Sequence, residues 1–427
     1  MKRVLFAGVA GAAALSSAHA QGLYYSGDEH KESLPLKWIV GADVVFDDNV
    51  NPTAFNPTTG TSTAESGTSI NPYVGVTFIS ISPQTTWDVY ARLGLVYYFD
   101  QPSGLQDDTY TQSRVGVDFT HNFSERLRFA SRNFIAYELE PDYSYGFATS
   151  RQTGEYFYWQ TDDSLGYRWT ERFATYTGIQ LTGLTYDSSV PNSDRFTWQP
   201  YIQGRYQLSP QTVLTADYRY AQTSGDGAAS DATDHYLLAG IEHRFSATTI
   251  LIARAGAQFH EVDSAGSDNS VSPYVELALN SQINTRFSVR SFLRYGLENY
   301  DTVRAVPNAT LPPAVTYEFD SRETLRLGVA GEYAISPRFS LFGGLDYIPS
   351  NFEDGRLVNP PAVPIPGVPV TAGGYSEDIF NGYIGLSVKF NDYLYGTLSY
   401  NHTTSSSDLL GGDYDRNRVS VGLRAEF

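Results

Sequence analysis

The sequence predicts an all-β fold, a transmembrane antiparallel β-barrel of about eighteen strands, and three observations predict it. The chain ends on "NRVSVGLRAEF", in which Val419, Val421, Leu423, Ala425 and Phe427 alternate with Arg418, Ser420, Gly422, Arg424 and Glu426. Period two marks a strand with two unlike faces, and a fraying terminus seldom carries one unless its apolar face is buried or meets lipid. Short polar breaks recur along the chain, starting at 82, 124, 170, 209, 246, 284, 336 and 391. The composition holds 32 Tyr, 24 Phe and 37 Gly but one Met and no Cys, which favours strands over helices.

In chain order, residues 1–20 read as a cleaved export signal: Lys2 and Arg3, an apolar run from Val4 to Leu15, then small residues at Ala18 and Ala20. Losing it takes the formal net charge from −18 to about −20. A chain this acidic has no generic electrostatic attraction for nucleic acid. Residues 21–36 form a short periplasmic tail, too short to fold as a plug domain. Residues 37–427 are the barrel. Without cysteine, an exported chain has no disulfide framework, so hydrogen-bonded sheet must hold it together. No run of eighteen or more apolar residues offers a helical span.

The breaks are the turns. "SPQT" occurs at Ser82–Thr85 and again at Ser209–Thr212, and "SERL", "TERF", "SATT", "NTRF", "SPRF" and "NDYL" are of the same kind. Ser, Asn, Asp and Pro are the residues that tight turns require. The intervals between breaks run from 37 to 55 residues, enough for two strands of roughly ten residues and a loop. Two strands before the first break and two after the last bring the count to eighteen. The stretch Glu155–Trp169 alternates poorly, so sixteen is the alternative count. Longer connections, such as those after Phe46 and from Asn359, alternate with the breaks. Short periplasmic turns and long external loops are the pattern of outer-membrane barrels. Aromatic girdles are expected from Trp87, Trp169, Phe173, Phe245, Phe287, Phe339 and Phe390 near turns, and from Tyr97, Tyr186, Tyr220, Tyr300, Tyr317 and Tyr400 near loops.

The face opposite the apolar alternation is polar and rich in arginine. Its expected pore-lining cations are Arg92, Arg114, Arg128, Arg132, Arg219, Arg254, Arg290, Arg294, Arg326 and Arg424. The facing acids are Asp88, Asp118, Glu276 and Glu332. Charges of both signs around a lumen set a transverse field that orients polar solutes, while pairing among them braces the wall. The last strand is expected to close against Lys37–Phe46, leaving no free edge. Phe427 resembles the terminal aromatic by which bacterial assembly machinery recognises outer-membrane proteins.

The segment "VGADVVFDDNVNP", Val40–Pro52, resembles the start of outer-membrane β-barrel porins, in particular the β-barrel porin-2 group, which has a similar acidic-Asn step soon after the signal. The resemblance implies an outer-membrane barrel and carries over neither a substrate nor functional residues. Porin trimers are common, so it also raises a homotrimer.

A barrel of sixteen to eighteen strands leaves an aqueous lumen. The expectation is therefore a channel in the bacterial outer membrane for passive diffusion of small hydrophilic solutes or ions, with no cofactor and no metal. Its partners are membrane lipid, the assembly machinery and small polar solutes. The first and the proline-rich eighth loop are the candidates for narrowing the lumen. The alternatives are a receptor or adhesin working through its loops and a barrel hydrolase. The acidic pairs Asp47-Asp48 and Asp107-Asp108 offer oxygen ligands for Ca²⁺ but, lacking a complete loop motif, read as solvated loop acids. The hydrolase needs an activated nucleophile, and His121, His235, His243, His260 and His402 sit in no recognisable catalytic motif. No catalytic residue is assigned.

Overall fold

The computed structural model describes residues 33–52, 63–103, 105–139, 154–187, 194–226, 231–263, 269–306, 315–353, 355–357, 368 and 371–427, with the side chains of 300–305 and 320 excepted. The expected export signal, residues 21–32 of the tail, and most of the first and eighth loops lie outside the described residues. The strands are β1 (Leu34–Asp47), β2 (Gly67–Ile81), β3 (Thr85–Tyr98), β4 (Thr109–Asn122), β5 (Leu127–Glu138), β6 (Tyr156–Arg168) and β7 (Phe173–Tyr186). They continue as β8 (Arg195–Ser209), β9 (Thr212–Gly225), β10 (Ala232–Ser246), β11 (Thr249–Val262), β12 (Ser270–Gln282), β13 (Phe287–Val306) and β14 (Val315–Ala334). The chain closes with β15 (Phe339–Phe352), β16 (Gly355–Leu357), β17 (Thr371–Ala372), β18 (Tyr375–Lys389), β19 (Leu394–Ser407) and β20 (Tyr414–Glu426).

Eighteen of these strands build the wall, each antiparallel to both of its neighbours. The short β16 and β17 instead make a small hairpin in the eighth connection, β16 pairing with the outer part of β14. The ring closes where β20 pairs with β1, from Ile39↔Glu426 to Asp47↔Arg418. Beyond it, Trp38 and Phe427 exchange backbone hydrogen bonds of 2.7 and 3.0 Å. Closure satisfies the edge groups that an open sheet would leave unpaired. The count of eighteen therefore holds, and β6 occupies the stretch that had left sixteen open. β1 begins at Leu34, within the stretch expected as tail.

Turn chemistry explains the eight breaks. In six of them the first residue's side chain accepts a backbone N–H three residues on. The pairs are Thr85 to Ser82 at 3.0 Å, Leu127 to Ser124 at 3.0 Å and Phe173 to Thr170 at 3.0 Å. Phe287 donates to Asn284 at 3.0 Å, Phe339 to Ser336 at 3.2 Å and Leu394 to Asn391 at 2.8 Å. At Ser209 and Ser246 the connection is two residues long and the hydroxyl instead accepts from Gln211 and Thr248. These side chains take over a hydrogen bond that the turning backbone cannot make with its own ladder.

The outer face is apolar and open: Leu93, Leu237, Leu345 and Leu423 are each more than half exposed. A continuous exposed apolar band of this kind is the surface that a barrel presents to lipid. Trp87, Trp169, Phe173, Phe245, Phe339 and Phe390 stand exposed towards the turn end, and Tyr97 and Tyr400 towards the loop end. Tyr186, which packs against the inward-facing Tyr156 and Leu184, departs from the girdle expectation, and so does Tyr317. Tyr317 is buried with Val306, Phe319, Phe352 and Leu409 in a cluster at the loop end, because β14 runs on past the wall there. Full burial of Phe319 and Phe352 contributes about 1.5–3 kcal/mol for each side chain.

Candidate functional site

The inner face is identified by contacts between strands that are not neighbours, which only the concave side of a closed wall permits. Arg219 on β9 reaches Glu276 on β12 at 3.0 Å. Glu276 also receives Arg254 from β11 at 3.2 Å, and Arg254 lies 3.5 Å from Asp217 and 3.6 Å from Glu242. Arg205, wholly buried, bonds Glu242 as well. Three guanidinium groups and three carboxylates thus interlock across β8 to β12. Interlocking offsets part of the cost of burying charge, most fully at Glu276, which accepts from Arg219, Arg254 and Tyr274. A second knot centres on Glu298 of β13, which accepts from Arg294, from Arg326 and, at 3.1 Å, from Arg322.

Of the residues expected from sequence, Arg219, Arg254 and Glu276 meet in the first knot, and Arg294 and Arg326 in the second. Others pair separately: Arg92 with Asp43 at 3.1 Å, Arg114 with Glu138, Arg132 with Asp162 at 3.6 Å, and Arg424 with Glu426 at 3.1 Å. Asp88 and Asp118 stand opposite each other on β3 and β4. Arg128 is on β5, Arg290 on β13 and Glu332 on β14, half-buried apart from the exposed Arg290. Phe427 is exposed beside Trp38 at the seam. The histidines have neighbours in the wall: His121 with Thr85, His243 with Thr212, His235 with Tyr218, His402 with Asn417, and His260 with Asp234 at 2.8 Å. Asp47 and Asp48 turn to β20 rather than to each other, bonding Arg416 and Asn417.

The inner wall of β5 to β7 is of another kind. Phe134, Ala136, Tyr156, Tyr158 and Leu184 pack there, with Tyr90 and Tyr186 against them. The lumen therefore has an aromatic side and a charged side. They approach each other at the loop end, where β13 leans inward. A one-residue bulge between Asn299 and Thr302 breaks the β13–β14 register. Bulges bend a strand and re-aim its side chains. Next to the bulge, Arg195 of β8 donates to the Asn299 carbonyl at 2.9 Å, and the Asn299 amide donates to Thr223 of β9 at 3.0 Å. Gln258 of β11 bridges both the N–H and the carbonyl of Leu297, at 2.9 and 3.0 Å. Five strand spacings along a wall amount to ~24 Å, farther than an arginine reaches, so β13 crosses part of the lumen rather than following its rim.

Between this leaning segment and the wall lies a cavity of about 220 Å³. Tyr158, Leu184 and Tyr236 line it on one side, and Arg294, Glu298 and Asn299 on the other. Arg195, Arg322, Glu298, Asn299 and the cavity tyrosines were absent from the expected site. One signal for them was available: the 284-to-336 interval is 52 residues, because β13 and β14 are 20 residues each.

No family model matches the chain, and no curated protein matches it. Solved structures do. The outer-membrane protein OpdK of Pseudomonas aeruginosa is 12% identical with a TM-score of 0.44, over 92% of this chain and 99% of that one. OccAB4 of Acinetobacter baumannii is 11% identical with a TM-score of 0.42, over 93% and 99%. A BenF-like porin of Pseudomonas fluorescens Pf-5 is 10% identical with a TM-score of 0.44, over 93% and 99%. At these values the likeness is one of barrel fold.

Proposed function

We propose that this chain is a porin-like channel of the bacterial outer membrane that passes small hydrophilic solutes or ions without energy input. The observation that carries the reading is the contrast between the two faces of one closed wall. Eighteen strands present leucine and aromatic side chains outward and arginine–carboxylate knots inward. Apolar girth suits a bilayer, and a charged interior suits water and polar solutes. In this reading the chain is exported through its amino-terminal signal, and the assembly machinery engages the strand ending in Phe427. The lumen residues set selectivity, and the narrowest level is where β13 meets β8 and β9.

Single-channel current across a planar bilayer under a salt gradient tests the proposal. Discrete conductance steps with a defined reversal potential are expected. Folded, inserted protein that carries no current would overturn it and turn attention to a loop-based receptor.

A further inference from the structure

We infer that the cavity behind β13 is a binding site for a neutral, polyhydroxylated single-ring solute, a monosaccharide in chemical class. The inference deepens the channel reading and rests on it for the route by which the solute arrives.

The charged groups that line the cavity, Arg195, Arg294, Asp234 and Glu298, each have a partner within the protein. Arg195 donates to the Asn299 carbonyl at 2.9 Å and Arg294 to Glu298. Glu298 is held by three guanidinium groups, and Asp234 accepts from Gln258 and His260, both at 2.8 Å. An ionic solute entering here would give up its hydration and would have to compete with those internal partners for a counter-charge. A neutral solute gives up less hydration and needs no counter-charge.

What the cavity offers instead is a ring face and a rim of hydroxyl and amide groups. Tyr236 is half-buried, its ring 5.0 Å from that of Tyr274 at 70°, and Leu184 and Ala221 add apolar surface. Thr182, Thr197, Gln199 and Asn299 supply neutral donors and acceptors around it. A sugar ring has this same division, with C–H groups on its faces and hydroxyl groups at its edge. Size restricts the class further: about 220 Å³ is below the ~300–1,000 Å³ of drug-sized pockets, so one ring is accommodated.

The test uses the full mature protein, with glucose and glucuronate as probes in two measurements. In planar bilayers, glucose is expected to reduce the ionic current saturably, and glucuronate to need roughly tenfold higher concentration. In detergent, equilibrium dialysis of labelled glucose against folded protein reads binding without conduction. Tyr236→Ala should weaken glucose about tenfold by removing the ring face. Thr182→Val, which keeps the wall's shape, should weaken it several-fold. Conductance steps with no saturable effect of glucose would overturn the site and leave the channel standing. Tighter action by glucuronate would overturn the neutral class. Absent current with saturable glucose binding in dialysis would overturn the channel and leave the site, and absence of both would overturn both.

Discussion

Asp47 and Arg416, 369 positions apart in the chain, form a buried bidentate ion pair across the seam where the first and last strands meet, with Nε–O distances of 3.0 and 3.1 Å. Asp48 receives the N–H of Asn417 at 2.6 Å and its amide at 2.7 Å, and the Asn49 amide donates to the Asp415 carbonyl at 2.9 Å. The three residues Asp47-Asp48-Asn49 thus clasp Asp415-Arg416-Asn417. Removing the carboxylate takes away the bidentate counter-charge of a buried guanidinium, so Asp47→Ala should cost about 3–5 kcal/mol. Urea unfolding of the reconstituted barrel measures it, and a cycle with Arg416→Ala separates the pair's coupling from each side chain's own contribution. Additive single losses would mean the clasp is incidental to closure.

A second prediction concerns backbone approach. Gly256 of β11 pairs with Leu238 on β10, and an added Cβ would overlap the Leu237 carbonyl oxygen. A main-chain atom in the ladder cannot swing aside as a side-chain tip can. Gly256→Ala should therefore cost about 1–3 kcal/mol, as overpacking does. Unfolding identical to wild type would mean the two strands part more easily than a hydrogen-bonded ladder should.

How much of this was legible in the sequence depends on the range of the interaction that decides each feature. The turns were readable because Ser82, Asn284 and Asn391 bond their own neighbours, which needs no knowledge of the rest of the chain. The closing strand was readable because a wall with one apolar and one polar face imposes strict alternation, which Val419, Val421 and Leu423 keep on the exposed outer side. β6 read ambiguously for a physical reason: Tyr156 and Tyr158 point into an aromatic cluster while Phe157 and Leu165 point out, so neither face is plainly polar. The inward lean of β13 was illegible because Arg195, Thr223 and Asn299 come from three separate strands. Tyr317 was misplaced for the same reason, since its partners Phe352 and Leu409 arrive from later parts of the chain.

The two faces of β14 should respond oppositely to charge. Leu327 is outward, and Leu327→Arg should cost about 2–4 kcal/mol near the membrane midplane and reduce insertion. Its neighbour Arg326 is inward and almost wholly buried on Glu298. In Arg326→Ala, Glu298 keeps Arg294 and Arg322, so the barrel should still assemble, and the reversal potential should move towards cation preference. Assembly lost with Arg326→Ala but retained with Leu327→Arg would reverse the facing of the strand.

At the loop end, Asp408 accepts the Ser376 N–H at 2.9 Å and its hydroxyl at 2.7 Å. These bonds hold the Asp408 carboxyl below its ordinary value. A carboxyl depressed by folding contributes stability above its unfolded pKa of about 4 and loses it as pH falls through the lower folded value. Hydrogen exchange around Asp408, corrected for intrinsic rate, should accelerate below pH ~4 in the wild type. Asp408→Asn should exchange faster at neutral pH and lose that acid dependence. Identical profiles for the two proteins would show that the contact does not order the loop.

The last prediction tests whether β13 sets the narrowest level. Arg195 ties β8 to the Asn299 carbonyl, and the Asn299 amide ties β13 to Thr223. Both bonds lie on the loop-end side of the lumen, next to the bulge, where the register of β13 with β14 is interrupted. Replacing Arg195 by Ala removes one tie and much of the side chain's bulk, while the wall pairings of β8 with β7 and β9 remain. The barrel should assemble as before, and its unit conductance should rise. Asn299→Ala should act in the same direction but less, because its carbonyl still accepts from Arg195. If neither variant changes conductance, the resistance of the channel lies elsewhere along the lumen. If Arg195→Ala lowers it, the guanidinium attracts the permeating ion more than β13 obstructs it.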